Sequence, residues 1–213
     1  MISNLKNTIQ LDKSQKFFLK KFENELEQFS TLSTSCGLCK TQNYLIISNY
    51  DRYNIKMDYG VCKNCGLIQS IKKFSFEDYK NFYENYYAKI YKQSDNDDPE
   101  TFFESRKQIG TRLLKLISSK IKLIPNSKIL EVGCGSGGIL HPFFKSGYEV
   151  KGIDLNVEDL KYGRKRGLNL SYSSIEHLKL DEKFNLIISM RSLEHVSKPN
   201  EFLKQIKKHL AID

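Results

Sequence analysis

The run KILEVGCGSGG, residues 128–138, constrains this chain more than any other feature. An apolar strand pattern ends in glycines at 133, 135 and 137, and a helical pattern follows. Glycine lets the backbone turn sharply and approach a ligand closely, and the start of a helix favours negative charge. From residue 128 onward strand and helix patterns alternate: KILEV, a helix from Gly137, YEVKGI, a helix through Tyr162, LNLSY, FNLIIS, and a last helix over 200–210. Such alternation predicts an α/β fold built on a mostly parallel sheet with crossover helices.

The glycine run reads two ways. Gly133, Gly135 and Gly138 satisfy the dinucleotide spacing G-x-G-x-x-G, and Asp154 closes the second strand, where an acid binds ribose hydroxyls in either case. Two features favour a different cofactor. Glu131 places an acid inside the first strand, where a dinucleotide site usually stays apolar, whereas a sulfonium cofactor bearing an amino group uses a nearby carboxylate. The other feature is FNLIISMRSLEHV, a strand that runs into a loop carrying an acid–histidine pair. Cys134 lies within the glycine run, but no base or oxyanion site accompanies it, so it reads as a small loop residue rather than a nucleophile.

Four of the five cysteines form two Cys-x-x-Cys knuckles, Cys36 with Cys39 and Cys62 with Cys65. A tight turn with two positions between thiolates delivers two of the four soft ligands that tetrahedral zinc requires. A redox role would need only one pair beside a βαβ unit, and disulfides are rare in reducing compartments. The reading is a structural zinc with no open position for catalysis. Gly66 follows the second knuckle and suits its turn.

With these motifs in view, the chain resembles the class I S-adenosylmethionine-dependent methyltransferases. LEVGCGSGG is similar to their first motif, GIDLN to the second, and FNLIISMRSLEHVSKPNEFLKQIKKHL to the fourth motif and its following helix, so the resemblance covers about residues 100–213. The cysteine region followed by a Tyr-rich helix resembles the zinc-binding N-terminal domain of some of these enzymes, several of which act on nucleotide-linked sugars. The resemblance implies a Rossmann-like domain in which Glu131, Gly133, Gly135 and Gly137 line the methionine end and Asp154 holds the ribose. Met190 and Arg191 would lie near the cofactor. The third motif departs from the family: where an acid often contacts the adenine amino group, SYSSIEHL offers Ser174 to accept a hydrogen bond and Ile175 to pack on the ring. His195 is the candidate base, because an imidazole suits proton transfer near neutrality; the alternative is a histidine that shapes its loop. Glu194 either orients it or faces solvent, and His141, His177 and His209 follow no ligand spacing.

The family's sheet has seven strands and this pattern supplies four, which implies a truncated product or a second chain completing the sheet. FNLIIS is a nearly continuous apolar run, the pattern of a strand buried on both faces and paired on both sides. The expected organisation is an N-terminal helix (1–30), a zinc-ribbon-like module (31–75), an aromatic-rich connecting helix and linker (76–97), and an incomplete S-adenosylmethionine-binding domain (98–213). In the first helix Phe18, Phe22, Leu26 and Phe29 keep helical spacing, and in the connecting helix Phe76, Tyr79, Tyr83, Tyr86 and Ile90 share one side. That side reads either as packing or as a lid or stacking platform. Asp98 is the expected cap of the next helix, with Pro99 at its first position.

Thirty-four basic against 25 acidic residues leave a net charge of +9. Charge of this sign admits a nucleic-acid partner, but the basic residues are scattered. No apolar run approaches the roughly 20 residues that span a bilayer, and the start lacks the apolar core of a secretory leader. The leading expectation is a cytoplasmic enzyme acting on a small-molecule acceptor. Its alternatives are an RNA methyltransferase whose zinc module grips RNA, and a non-catalytic remnant or half of a split enzyme.

Overall fold

A computed structural model describes residues 11–91, 99–179, 181–196 and 198–211, leaving aside the side chains of 31–33, 73, 76, 79, 80, 83, 84 and 88. Asp98 and the side chains of Phe76, Tyr79 and Tyr83 therefore lie outside the described parts. The chain divides into two compact units, Met1–Asp97 and Asp98–Asp213.

The first unit opens with α1 (Lys13–Leu26), whose start is fixed by a reciprocal cap: Asp12 accepts from the Gln15 amide at 2.8 Å and Gln15 accepts from the Asp12 amide at 3.1 Å. Strand β1 (Thr31–Ser33) pairs antiparallel with β5 (Lys72–Phe74), and β2 (Tyr44–Tyr50), β3 (Lys56–Cys62) and β4 (Ile68–Ser70) form an antiparallel three-stranded sheet. Helix α2 (Phe76–Phe82) runs through one π-helical turn (Tyr83–Tyr87) into α3 (Ala88–Tyr91). Phe22 is wholly buried among Tyr53, Ile55, Phe82, Tyr86 and Ile90, with Phe29 and Phe74 edge-on to it. The buried Gln15 side-chain amide donates to Ile90 O at 2.9 Å, which ties α1 to α3 through a carbonyl of the last helical turn.

The second unit is the Rossmann-like α/β domain. Helix α4 (Pro99–Ser118) precedes β6 (Lys128–Val132), α5 (Leu140–Lys145), β7 (Glu149–Asp154), α6 (Val157–Arg164), β8 (Leu170–Tyr172), β9 (Leu186–Ile188) and α7 (Pro199–His209). The four strands are parallel in the order β8-β7-β6-β9, with Glu131 opposite Gly152 on one side and Ile188 on the other. Alternation along β6 divides the core. Ile129 joins Phe103, Leu140, Phe143, Leu160 and Leu170 on one face, while Leu130 and Val132 join Ile153, Ile175, Phe184 and Phe202 on the other.

Helix α4 lies directly on the glycine loop. A Cβ on Gly110 would stand 2.4 Å from Ile139 O, and one on Gly138 would stand 2.6 Å from the Arg106 Cβ and 2.7 Å from Phe103 O. Those two missing side chains set the closeness of helix and loop. The helix after the loop begins at Leu140 rather than Gly137, because Gly137 itself has φ +76°, outside the right-handed helical region. Strand β9 is also shorter than the FNLIIS run, and among the described residues pairing on the edge away from β6 is met at one position. There Phe184 N–H donates to His209 O and Phe184 O accepts from Ala211 N–H, each at 2.8 Å. Among the described residues no helix is long and apolar enough to cross a membrane.

Candidate functional site

At the carboxyl ends of β6, β7 and β9 the chain turns through three glycines with positive φ, Gly133 (+74°), Gly135 (+52°) and Gly137 (+76°). A side chain at 133 would be strained by the positive φ, and its Cβ would come within 2.2 Å of Ser192 Oγ. That hydroxyl donates to Val132 O at 3.0 Å, so the loop after β9 is stitched to the end of β6. The amides of Gly133 and Cys134 both reach Ile153 O, at 2.9 and 3.1 Å, which holds the loop against β7.

Asp154 ends β7 with both carboxylate oxygens engaged: Oδ2 accepts from Gly135 N–H at 2.7 Å and Oδ1 from Asn156 N–H at 2.8 Å. Each oxygen keeps a further lone pair for a ligand hydroxyl. Asn156 then caps α6 by accepting from the amides of Glu158 and Asp159 at 3.1 and 3.2 Å.

Glu131 is 1% exposed and its Oε2 has no hydrogen-bond partner among the described residues. It shares a face of β6 with Ile129, the face against which α4 packs through Phe103. Burial pushes its carboxyl well above the usual range; the nearby Arg106 guanidinium opposes that rise and Asp154 adds to it. Burying a carboxyl oxygen without a partner is costly, so packing alone does not account for this group. Cys134 is buried with its sulfur against Gly152, and burial raises its thiol far above the usual range, as befits a packing residue.

The other expected residues follow β8 and β9. Ser174 Oγ and His177 Nδ1 lie 2.9 Å apart on the turn after β8, and Ile175 is 1% exposed within the cluster of Leu130, Val132 and Ile153. Met190 is exposed, and Arg191 adopts φ +57°, a left-handed conformation uncommon outside glycine. His195 is exposed on the helical turn Leu193–His195, its amide donating to Ser192 O at 3.0 Å. Three further contributors have no role among the residues expected from the sequence. Ser192 crosses Gly133, Phe102 stands 4.0 Å from the Cβ position of Gly135, and Arg106 rests on Gly138 with its guanidinium 5.0 Å from the Phe102 ring centre. The i, i+4 spacing of Phe102 and Arg106 puts them on one helix face, but only the packing of α4 reveals what that face covers.

In the first unit the four knuckle sulfurs lie within 4.8 Å of one another, with Cys36 to Cys65 at 3.4 Å and Cys39 to Cys62 at 3.5 Å. Thiolates about 2.3 Å from a tetrahedral zinc stand ~3.8 Å apart, so the set fits such an ion. The two knuckles repeat one hydrogen-bond pattern. Cys36 N–H reaches Thr41 O and Lys40 N–H reaches Cys36 O; Cys62 N–H reaches Leu67 O and Gly66 N–H reaches Cys62 O. Lys40 (φ +64°) thus occupies the place that Gly66 (φ +77°) fills in the second knuckle. All five cysteines are free of disulfides.

A parallel sheet with an acid–glycine loop after one strand and an acid ending its neighbour defines the class of Rossmann-like domains built to hold a nucleoside cofactor. Residues 102–213 match the family model described as a methyltransferase domain, and the chain belongs to that family, of the S-adenosylmethionine-dependent class. It is 32% identical over 82 residues to the ubiquinone biosynthesis O-methyltransferase of Pasteurella multocida, covering 37% of this chain and 34% of that one. It is 36% identical over 55 residues to the cyclopropane-fatty-acyl-phospholipid synthase of Escherichia coli K12, covering 25% and 14%. The crystal structure of Streptomyces venezuelae DesVI aligns at 22% identity and a TM-score of 0.43, over 56% of this chain and 54% of that one. The matched stretches thus span about a third or less of these curated relatives' length.

Proposed function

We propose that the second unit binds S-adenosylmethionine across the ends of β6, β7 and β9 and serves methyl transfer to a small-molecule acceptor. The observation that carries this reading is the buried Glu131 with its unpartnered oxygen, two positions before the glycine loop: a carboxyl there is costly unless a cationic ligand group completes it. The cofactor, when bound, supplies a methyl group on a positively charged sulfur, so the protein's task is chiefly orientation.

In this reading Glu131 accepts from the cofactor's ammonium, and Gly133, Gly135 and Gly137 let the backbone approach its amino-acid end. Asp154, already oriented by two amides, accepts from the ribose hydroxyls. Ser174 and Ile175 border the base, and Met190 and Arg191 border the sulfur side. His195 takes the proton from the acceptor as its nucleophile is alkylated. Cys36, Cys39, Cys62 and Cys65 hold a structural zinc that fastens the knuckles of the first unit, within a module assigned to 31–75, while 98–213 forms the cofactor domain.

The acceptor we favour is a nucleotide-linked sugar. The combination of a cysteine module, a Tyr-rich helix and a cofactor domain supports it, as does a net charge of +9, which attracts an anionic acceptor. Incubation with methyl-labelled cofactor and separate pools of nucleotide-linked sugars and of RNA tests this choice. Label in the sugar fraction is the expected result; label in RNA, lost as salt rises, would move the acceptor to the phosphate backbone class.

A further inference from the structure

The end of α4 and the segment that joins it to β6 carry an exposed surface that the cofactor site does not use. Between Lys107 and Lys128 the sequence contains Arg112, Lys115, Lys120 and Lys122 and no acidic residue. All four cations are exposed, and none forms an ion pair among the described residues. Interleaved with them are three large aliphatic side chains open to solvent, Leu116 at 56%, Ile121 at 46% and Ile124 at 61%. Local structure fixes this display. Leu113, Leu114 and Ile117 pack against the core that holds Phe103 and Ile129, while Arg112, Lys115 and Leu116, spaced i, i+3 and i+4, share an exposed side. The amides of Lys120 and Ile121 both donate to Ile117 O at 2.9 Å, closing the last turn. Leu123 then packs on the same core and leaves its neighbours Lys122 and Ile124 exposed. Ser127 holds the following turn, its amide and Oγ donating to Ile124 O at 3.1 and 2.7 Å.

The helix dipole favours a cation in the last turn, which accounts for Lys115 but not for three exposed aliphatic side chains among unpaired cations. We propose that this strip docks on an anionic lipid surface, with the cations against the headgroups and Leu116, Ile121 and Ile124 at the acyl boundary. Charge and composition select this occupant. A second copy meeting the strip about a twofold axis would set the same cations against each other. A nucleic acid would call for aromatic rings to stack on its bases, and residues 111–127 contain none. A lipid surface takes lysines and aliphatic side chains together. The contact is superficial and spans nothing. It lies toward the amino end of β6, whereas the glycine loop leaves the carboxyl end, so docking leaves the cofactor site uncovered.

The test is co-sedimentation of the full chain, at physiological salt, with vesicles of phosphatidylcholine alone and of an equal mixture of phosphatidylcholine and phosphatidylglycerol. Wild type is expected to bind the anionic vesicles and to leave the neutral ones. Lys115→Gln/Lys120→Gln/Lys122→Gln removes charge from the strip, and Leu116→Ser/Ile124→Ser removes its apolar part. Each should weaken vesicle binding by about 10-fold or more, with the melting temperature at its wild-type value. Lys13→Gln/Lys16→Gln/Lys20→Gln, which removes equal charge from exposed positions of α1, should bind vesicles as wild type does. Full binding in either strip variant, or an equal loss in the α1 variant, would overturn the proposal, as would a folded wild type that ignores anionic vesicles. Strip-dependent binding of RNA, or strip-dependent dimers, without vesicle binding would overturn it and assign the surface to that partner.

Discussion

Asp154 Oδ2 accepts a hydrogen bond from Gly135 N–H at 2.7 Å, so the acid ending β7 and the loop ending β6 are held in one piece. The loop's amide fixes one oxygen of the acid and the Asn156 amide fixes the other, at 2.8 Å. A carboxylate oriented before its ligand arrives loses little conformational entropy on binding, which suits Asp154 to the ribose contact proposed for it. The relationship also ties the orientation of Asp154 to the packing of two adjacent strands.

Glu131 is expected to set the pH dependence of the second unit. Burial raises its folded-state value well above the unfolded one, so the folded chain holds this proton more tightly. The resulting contribution to stability is full below the ordinary carboxylate range and is lost as pH rises toward the raised folded value. Glu131→Gln should therefore unfold at a higher urea concentration than wild type at pH 8 and near the same concentration at pH 4. The same variant should lose cofactor affinity by at least about 10-fold, and wild-type binding should release a proton, read as a dependence of the binding enthalpy on buffer ionisation.

Gly110 offers a test in which helix propensity and packing oppose each other. Alanine in an exposed helix interior gains about 1 kcal/mol over glycine, yet a Cβ at 110 would lie 2.4 Å from Ile139 O and 2.8 Å from its Cα. Backbone cannot yield as a flexible side chain does, so Gly110→Ala should destabilise the chain by about 1–3 kcal/mol. Displacement of α4 from the glycine loop should also weaken cofactor binding. Chemical denaturation read beside calorimetry measures both.

The cysteine cluster should carry one zinc per chain, measured by metal analysis of protein purified without added metal. Removal by a chelator, or Cys62→Ser, should lower the melting temperature and shift the tyrosine signal of the first unit, because the ion joins two knuckles that lie far apart along the chain. Iron or no metal in fully reduced, folded protein would remove the zinc assignment.

His195 should matter to turnover and not to cofactor affinity. Replacement by alanine is expected to slow methyl transfer by about 100-fold or more, with the dissociation constant for S-adenosylmethionine unchanged. Unchanged turnover would make this residue a loop former.

Much of the second unit is legible in the sequence because its signals are local. The apolar period of KILEV and YEVKGI gives strands, and glycine at alternate positions gives the loop. The cysteine spacing announces two knuckles, though the equivalence of Lys40 and Gly66 stays hidden, since a lysine carries no mark of a left-handed backbone. Asp154 is visible from its place at the end of the second strand. Arg106, Phe102 and Ser192 are not visible, because each reaches the loop through packing between elements distant in the chain, and no periodicity within α4 or after β9 encodes that meeting. The π-helical turn at Tyr83–Tyr87 is likewise hidden in an aromatic run that reads as continuous helix.

The most direct measurement is calorimetric titration of the full, folded chain with S-adenosylmethionine, with a nicotinamide dinucleotide and the Asp154→Ala variant run alongside. The account predicts micromolar binding of S-adenosylmethionine, no binding of the dinucleotide, and loss of at least about 10-fold in the variant. Binding of the dinucleotide alone, or S-adenosylmethionine binding that ignores Asp154, would contradict it.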